Sequence, residues 1–148
     1  MKQLFLAAVI LFSLELFAQT ETKSKKTIIP TEAKNAFAKE FPNKKAKWGA
    51  ENGGYEAEFK INGIDASAVY DKTGNRKELE INMEIKDLQP SISEYIKQNY
   101  PKSKITEAAK ITNDKNTIAY EAEIKKDGKS YDVLFDVAGK FIKTVKGD

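Results

Sequence analysis

The segment Tyr55-Glu56-Ala57-Glu58-Phe59-Lys60 returns later in the chain as Tyr120-Glu121-Ala122-Glu123-Ile124-Lys125. Each copy is followed by a tight-turn pair, Asn62-Gly63 in the first and Asp127-Gly128 in the second. A tandem duplication of one small unit constrains the architecture more than composition does, because neighbouring copies bury faces that neither covers alone. Each half has about 60 residues, a size at which an isolated domain buries too little surface to be more than marginally stable. The two halves are therefore expected to form one continuous fold.

Within each copy the apolar period changes once. Ala33, Ala36, Phe37 and Phe41, and in the second copy Ile92, Tyr95, Ile96 and Tyr100, have the spacing of one helical face. Both stretches end at a proline, Pro42 or Pro101, which disfavours helical geometry in the residue before it. Pro30 and Pro90 stand at the other end, in the first turn, where a helix tolerates proline. The period then falls to two. Ala46, Trp48 and Ala50; Tyr55, Ala57, Phe59 and Ile61; Ile64, Ala66, Ala68 and Tyr70; and Leu79, Ile81, Met83 and Ile85 all alternate with other residues, as half-buried strands do. Asn52-Gly53-Gly54, Asn62-Gly63 and Asp71 to Gly74 supply the hairpin turns, matched by Asn113 to Thr117, Asp127-Gly128 and Asp136 to Gly139. The fold class is thus α+β: a tandem duplication of a helix plus a four-stranded antiparallel meander. Residues 28–86 form the first repeat and 87–148 the second, combined in one domain. Between the proline and the repeated tyrosine the second copy is six residues longer (Pro42 to Tyr55, Pro101 to Tyr120), an excess expected in its first hairpin loop.

The first eighteen residues read as a signal peptide: Lys2 is its positive start, Leu4 to Phe12 its apolar run, and Ala18 precedes the cleavage point. That run is too short for a spanning helix, which needs roughly 20 apolar residues, so no stable membrane insertion is expected once it is removed. Residues 19–27 form a flexible lead, and the exported chain is expected in the periplasm or outside the cell. It has no cysteine, so burial and sheet hydrogen bonds must hold it together without disulfides. Of 25 basic residues only Arg76 is an arginine, which argues against nucleic-acid binding, where bidentate phosphate and guanine contacts favour that side chain.

The residues resemble a family of small secreted proteins of Bacteroidetes-type bacteria, PepSY-like or beta-lactamase-inhibitor-like. The likeness rests on Ala36-Phe37-Ala38-Lys39-Glu40-Phe41-Pro42, Trp48, the Tyr55 to Lys60 segment, Tyr70-Asp71-Lys72-Thr73-Gly74, Tyr95 to Pro101, and Phe135-Asp136 with Gly139. It implies two helix-plus-four-strand units side by side, with helices on one face of a curved sheet and the other face open. In the beta-lactamase inhibitor protein itself that open face grips an enzyme, although a shared fold does not carry a function with it.

Without histidine or cysteine the chain cannot build a Ser-His-Asp triad, a cysteine nucleophile or an ordinary zinc site, so it reads as non-enzymatic with no cofactor and no metal. Asp71 to Asn75 and Asn113 to Asn116 lack the ligand spacing of a calcium loop and read as turns. Trp48 is a residue type enriched in binding hot spots, but its phase with Ala46 and Ala50 places it against Phe37 and Phe41 in the core. The strongest binding candidates are Glu56, Glu58, Glu78, Glu80, Glu121 and Glu123, all out of phase with the core and hence on the sheet face away from the helices. A solvated face needs such charge to resist edge pairing, and this plain reading is preferred for them. The expected function is an exported binding module that recognises an exported or envelope protein or peptide through that open charged face. The alternative is a small apolar-ligand carrier or structural envelope protein, using a cleft between the repeats lined by Tyr70, Tyr95, Tyr100 and Tyr131.

Overall fold

The computed structural model describes residues 27–51 and 53–146. Residues 1–18, read as a signal peptide, and most of the 19–27 lead lie outside the described residues. Helix α1 (Thr31–Glu40) leads into strands β1 (Lys47–Glu51), β2 (Gly54–Ile61), β3 (Ile64–Tyr70) and β4 (Arg76–Asn82). After a 3-10 turn (Ile85–Asp87), α2 (Pro90–Asn99) is followed by β5 (Lys104–Asn113), β6 (Ile118–Lys126), β7 (Lys129–Asp136) and β8 (Phe141–Lys146). The strands make one eight-stranded sheet in chain order, with every neighbouring pair antiparallel. The tandem helix-plus-four-strand architecture is the one the duplication predicts. β4 and β5 join the repeats by pairing Glu78 to Asn82 with Asn113 to Ala109.

Both helices stop where their prolines dictate. Phe41 and Tyr100 leave helical geometry at φ −124° and −123°, and each still donates its N–H to the carbonyl four residues back. A turn with proline at its second position follows in each copy, closed by Lys44 N–H to Phe41 and by Ser103 N–H to Tyr100. Its third residue must adopt positive φ, 64° at Asn43 and 68° at Lys102.

The turns also repeat. Asn62-Gly63 and Asp127-Gly128 all have positive φ, as a two-residue type I′ hairpin requires. Three longer turns share another device, a side-chain oxygen accepting from the backbone N–H groups two and four residues on. Asp71 Oδ1 takes Thr73 and Asn75 at 2.9 and 3.0 Å; Asn113 Oδ1 takes Lys115 and Thr117, and Asp136 Oδ1 takes Ala138 and Lys140, all at 2.9 Å. The Thr73 hydroxyl and these N–H groups hold the Asp71 carboxyl well below the usual carboxylate range.

Each helix covers its own apolar cluster. Ala33 and Phe37 pack on Ala57, Phe59, Ala66, Ala68 and Tyr70, and Ile92 and Ile96 pack on Ala108, Ala122, Ile124, Val133 and Phe135. In the first repeat Tyr70 donates its hydroxyl to Glu40 (2.9 Å), whose other oxygen accepts from Arg76 Nε (2.7 Å), tying the end of α1 to β3 and β4. The second repeat replaces this polar latch with aromatic packing: Tyr95 stacks on Phe141 at 4.9 Å and meets Phe135 edge-on at 5.5 Å.

Two sequence expectations change. Ile85 does not continue β4, which ends at Asn82; it lies in the 3-10 turn, 39 % exposed. The extra length of the second copy is not mainly a loop either, because β5 has ten residues where β1 has five. β5 is central and hydrogen-bonded on both sides, whereas β1 is an edge with one partner. Added residues in β5 can therefore be absorbed by pairing.

Candidate functional site

The site is built from the strand positions that alternate with the core. Because β-strand side chains point to opposite faces in turn, Glu56, Glu58, Ser67, Glu78, Glu80, Glu121, Glu123 and Asp132 share the face turned away from both helices. Register aligns them in rows across the sheet, Glu56–Val69–Glu78 and Glu58–Ser67–Glu80–Ile111 among them. Ala109 and Glu121 are directly paired, with Leu134 beyond Glu121.

The expectation of a solvated acidic face is wrong for most of these residues. Glu56 and Glu78 are each 6 % exposed, Glu80 and Glu121 4 % and Asp132 3 %, while Glu58 and Glu123 are partly exposed. In β4 the glutamates are more buried than Leu79 and Ile81, which belong to the helix side. A flat sheet face without helices would leave such side chains half in water, so the sheet curls toward the acidic side and its side chains close over one another. The bulges at Val69/Tyr70, Ile105/Glu107 and Leu134/Phe135 supply the bend, because an extra residue in one strand increases local twist. On the helix side of the β4–β5 seam Lys110, paired with Ile81 and Tyr120, is exposed.

Crowding carboxylates in a poorly hydrated trough favours their neutral form. Burial pushes Glu56 up to about 7, reinforced by Glu51 and Glu58 and opposed by a hydrogen bond with Ser67 and by Lys47. Burial also raises Glu80 well above the usual carboxylate range, with Glu78, Glu56, Asp132 and Glu107 adding to it. Glu121 is raised in the same way by burial, then by Glu80, Asp132, Glu78 and Glu123. Glu56 Oε1, Glu80 Oε2 and Glu121 Oε2 are buried without a hydrogen-bond partner.

At the rim the charges are compensated. Lys47 pairs with Glu58 at 3.4 Å, Lys60 pairs with Asp65, and Thr106 donates its hydroxyl to Glu123. A hollow of about 400 Å³ beside Glu58 and Asp65 is edged by Lys44, Lys45, Lys47 and Lys60.

Trp48 is not part of this face. It lies on the helix side, edge-on to Phe37 at 5.7 Å and tilted against Tyr70 at 6.1 Å. The four tyrosines proposed for an inter-repeat cleft are not gathered in one: Tyr70 is fully buried in the first cluster, while Tyr95, Tyr100 and Tyr131 pack against the second. A pocket of about 330 Å³ does adjoin Tyr100 and Tyr131, but Lys126, Asp127 and Thr144 complete it at the β6–β7 end of the second repeat. Sequence reasoning passed over Ser67, Ala109 and Ile111 on the acidic face. Their signal was small and apolar residues at positions where a solvated face would carry long polar ones.

Among the described residues no three Asp or Glu side chains are grouped to hold a metal ion, and no helix is long and apolar enough to cross a membrane. The family model for beta-lactamase-inhibitor-like, PepSY-like proteins matches residues 50–143. The chain belongs to this family. The family is described as inhibitor-like, and the chain has neither cysteine nor histidine. No curated protein matches it in sequence.

Solved structures share the PepSY-like fold over most of their length. A DUF2874 family protein from Bacteroides uniformis is 17 % identical, with a TM-score of 0.68 over 79 % of this chain and 88 % of that one. A protein from Bacteroides eggerthii, provisionally described as periplasmic, is 13 % identical, with a TM-score of 0.69 over 81 % and 90 %. A protein from Bacteroides fragilis described as like the beta-lactamase inhibitor protein is 18 % identical, with a TM-score of 0.63 over 82 % and 89 %.

Proposed function

We propose that the chain is an exported, non-enzymatic binding module that recognises a protein or peptide of the cell envelope through the acidic face of its sheet. The observation that carries this reading is the set of buried carboxylate oxygens on that face that lack partners, on Glu56, Glu80 and Glu121. Leaving such groups unsatisfied costs stability, and a cost borne on the face without helices is accounted for if a ligand meets it there. Export rests on the signal-like residues 1–18, with repeats at 28–86 and 87–148, and it agrees with the periplasmic description of the Bacteroides eggerthii protein.

The test is site-specific photo-crosslinking in the source cells. A crosslinker at Glu58 or Glu123, at the margin of the acidic face, is expected to trap one discrete partner, and one at the exposed helix positions Lys34 or Ser93 is not. Adducts from the helix positions alone would refute the reading.

A further inference from the structure

We propose that the acidic face is a receptor for lysine and arginine side chains, and that its ligand is a basic, extended segment of a partner protein laid across the central strands. This rests on the binding role above and names the chemistry of what is bound.

Two observations point to a cation arriving from outside. The first is charge placement: two lysines of the rim are engaged with rim carboxylates, Lys47 with Glu58 and Lys60 with Asp65, while the acids of the central strands lie beyond them. The second is that Glu80 and Glu121, each 4 % exposed, carry a buried oxygen with no hydrogen-bond partner. A buried carboxylate becomes tolerable when it is protonated or when it is paired and hydrogen-bonded. An ammonium or guanidinium group supplies the second solution and donates the missing hydrogen bonds.

The layout favours a segment over a single ion. Glu56 is on β2 and Glu121 on β6, four strands away, or about 19 Å at ~4.8 Å per strand. Several cationic side chains spaced along an extended peptide match that spread, whereas the described acids form no metal-binding group. Ala109, paired with Glu121, adds only a methyl group beside these acids. Glu80, which pairs with Ile111, and Glu121 are both glutamates, long enough to swing toward an incoming guanidinium. An arginine there gains two parallel hydrogen bonds to one carboxylate where a lysine gains a point contact. Since the trough favours protonated carboxyls, binding a cation must release protons, and affinity is expected to rise with pH.

The experiment titrates the purified protein with hexa-arginine, hexa-lysine and hexa-glutamate at low salt. Saturable binding of the two basic peptides is expected, hexa-arginine the tighter, and none of hexa-glutamate. Affinity should fall at least tenfold between pH 8 and pH 5.5, and at least tenfold at pH 8 in Glu80→Gln/Glu121→Gln. Glu32→Gln/Glu94→Gln, on exposed helix positions, should leave it unchanged. Carboxyl carbon NMR on the unmodified protein makes the result independent of how well the variants fold: the Glu80 and Glu121 signals should shift as hexa-arginine is added. No binding at millimolar peptide, or binding that leaves both signals in place, overturns the proposal. If crosslinks still form from the acidic face in that case, the binding role stands and only the basic ligand falls.

Discussion

Replacing Glu56 with glutamine should stabilise the protein at alkaline pH and leave it unchanged in acid. The Glu56 carboxyl is raised from 4.5 to about 7 in the folded chain, chiefly by burial. The folded state therefore holds this proton more tightly than the unfolded state does, and stability falls as pH climbs from about 4.5 through about 7. A displacement of about 2.5 pH units corresponds to roughly 3 kcal/mol, fully expressed by pH 8. Glutamine cannot ionise, keeps an acceptor for the Ser67 hydroxyl and nearly preserves the volume. Urea unfolding can be followed by the fluorescence of Trp48, the single tryptophan, which packs against Phe37 and Tyr70. The stability difference between Glu56→Gln and the parent should be near zero at pH 4 and reach roughly 3 kcal/mol in favour of the variant at pH 8. A difference independent of pH, or a variant weaker than its parent at pH 8, would refute the assignment of Glu56 to a dehydrated acidic trough.

Other outcomes follow from the remaining geometry. Lys102 has φ 68°, so Lys102→Asn, which tolerates that conformation better, should raise the urea midpoint by an amount equivalent to about 0.5 kcal/mol. Phe37 is 4 % exposed and touches four aromatic rings, so Phe37→Ala should cost about 3–5 kcal/mol by the same measurement. At Gly74, φ 84°, an added Cβ would meet the Glu32 carbonyl oxygen at 2.8 Å; Gly74→Ala should cost about 1–3 kcal/mol and lower the melting temperature. A double-mutant cycle on Glu40→Gln and Arg76→Leu should give a coupling of about 1 kcal/mol, reduced by the partial exposure of both side chains and weaker in high salt.

The fold was legible because each local signal had one structural solution. Asn62-Gly63 and Asp127-Gly128 fix two-residue hairpins, Pro42 and Pro101 end the helices, and period-two alternation assigned Phe59 and Ile124 to the core, where they are 6 % and 0 % exposed. The candidate site was legible only in part. Alternation placed Glu56, Glu80 and Glu121 on the correct face, but it is silent on whether that face is flat or curled, and curvature decides hydration. The clue was the company these acids keep: Val69, Ile111 and Leu134 are apolar, and Ser67, Ala109 and Ala119 are small, on a face expected to be wet. The longer second copy misled for a related reason, since a count of residues does not say whether they loop out or extend a paired strand.

Val69, Ile111 and Leu134 also bear on why the acids are there at all. Leu134 and Ile111 are each 1 % exposed on the same face as Glu80 and Glu121, so the fold accepts aliphatic side chains at the most enclosed positions of the trough. Charge is thus not a requirement of the sheet, and an aliphatic residue at position 80 or 121 would avoid a desolvation penalty that grows as pH rises. The second repeat shows the chain making that exchange elsewhere: where the first uses Glu40, Tyr70 and Arg76 to fasten its helix, the second uses Tyr95, Phe135 and Phe141. Polar groups on the helix side were thus replaceable by hydrophobic packing, while Glu56 and Glu58 reappear as Glu121 and Glu123 at equivalent positions of the repeat. Glu56 and Glu121, buried acids held at matching places in two diverged copies, are what the proposed binding role accounts for, whereas Glu80 has Val145 as its counterpart in the second repeat. A cationic partner should then raise stability most at the pH where the free trough is weakest, so the melting-temperature gain with saturating hexa-arginine should be larger at pH 8 than at pH 5.5. An equal gain at both pH values would separate ligand binding from the buried carboxylates.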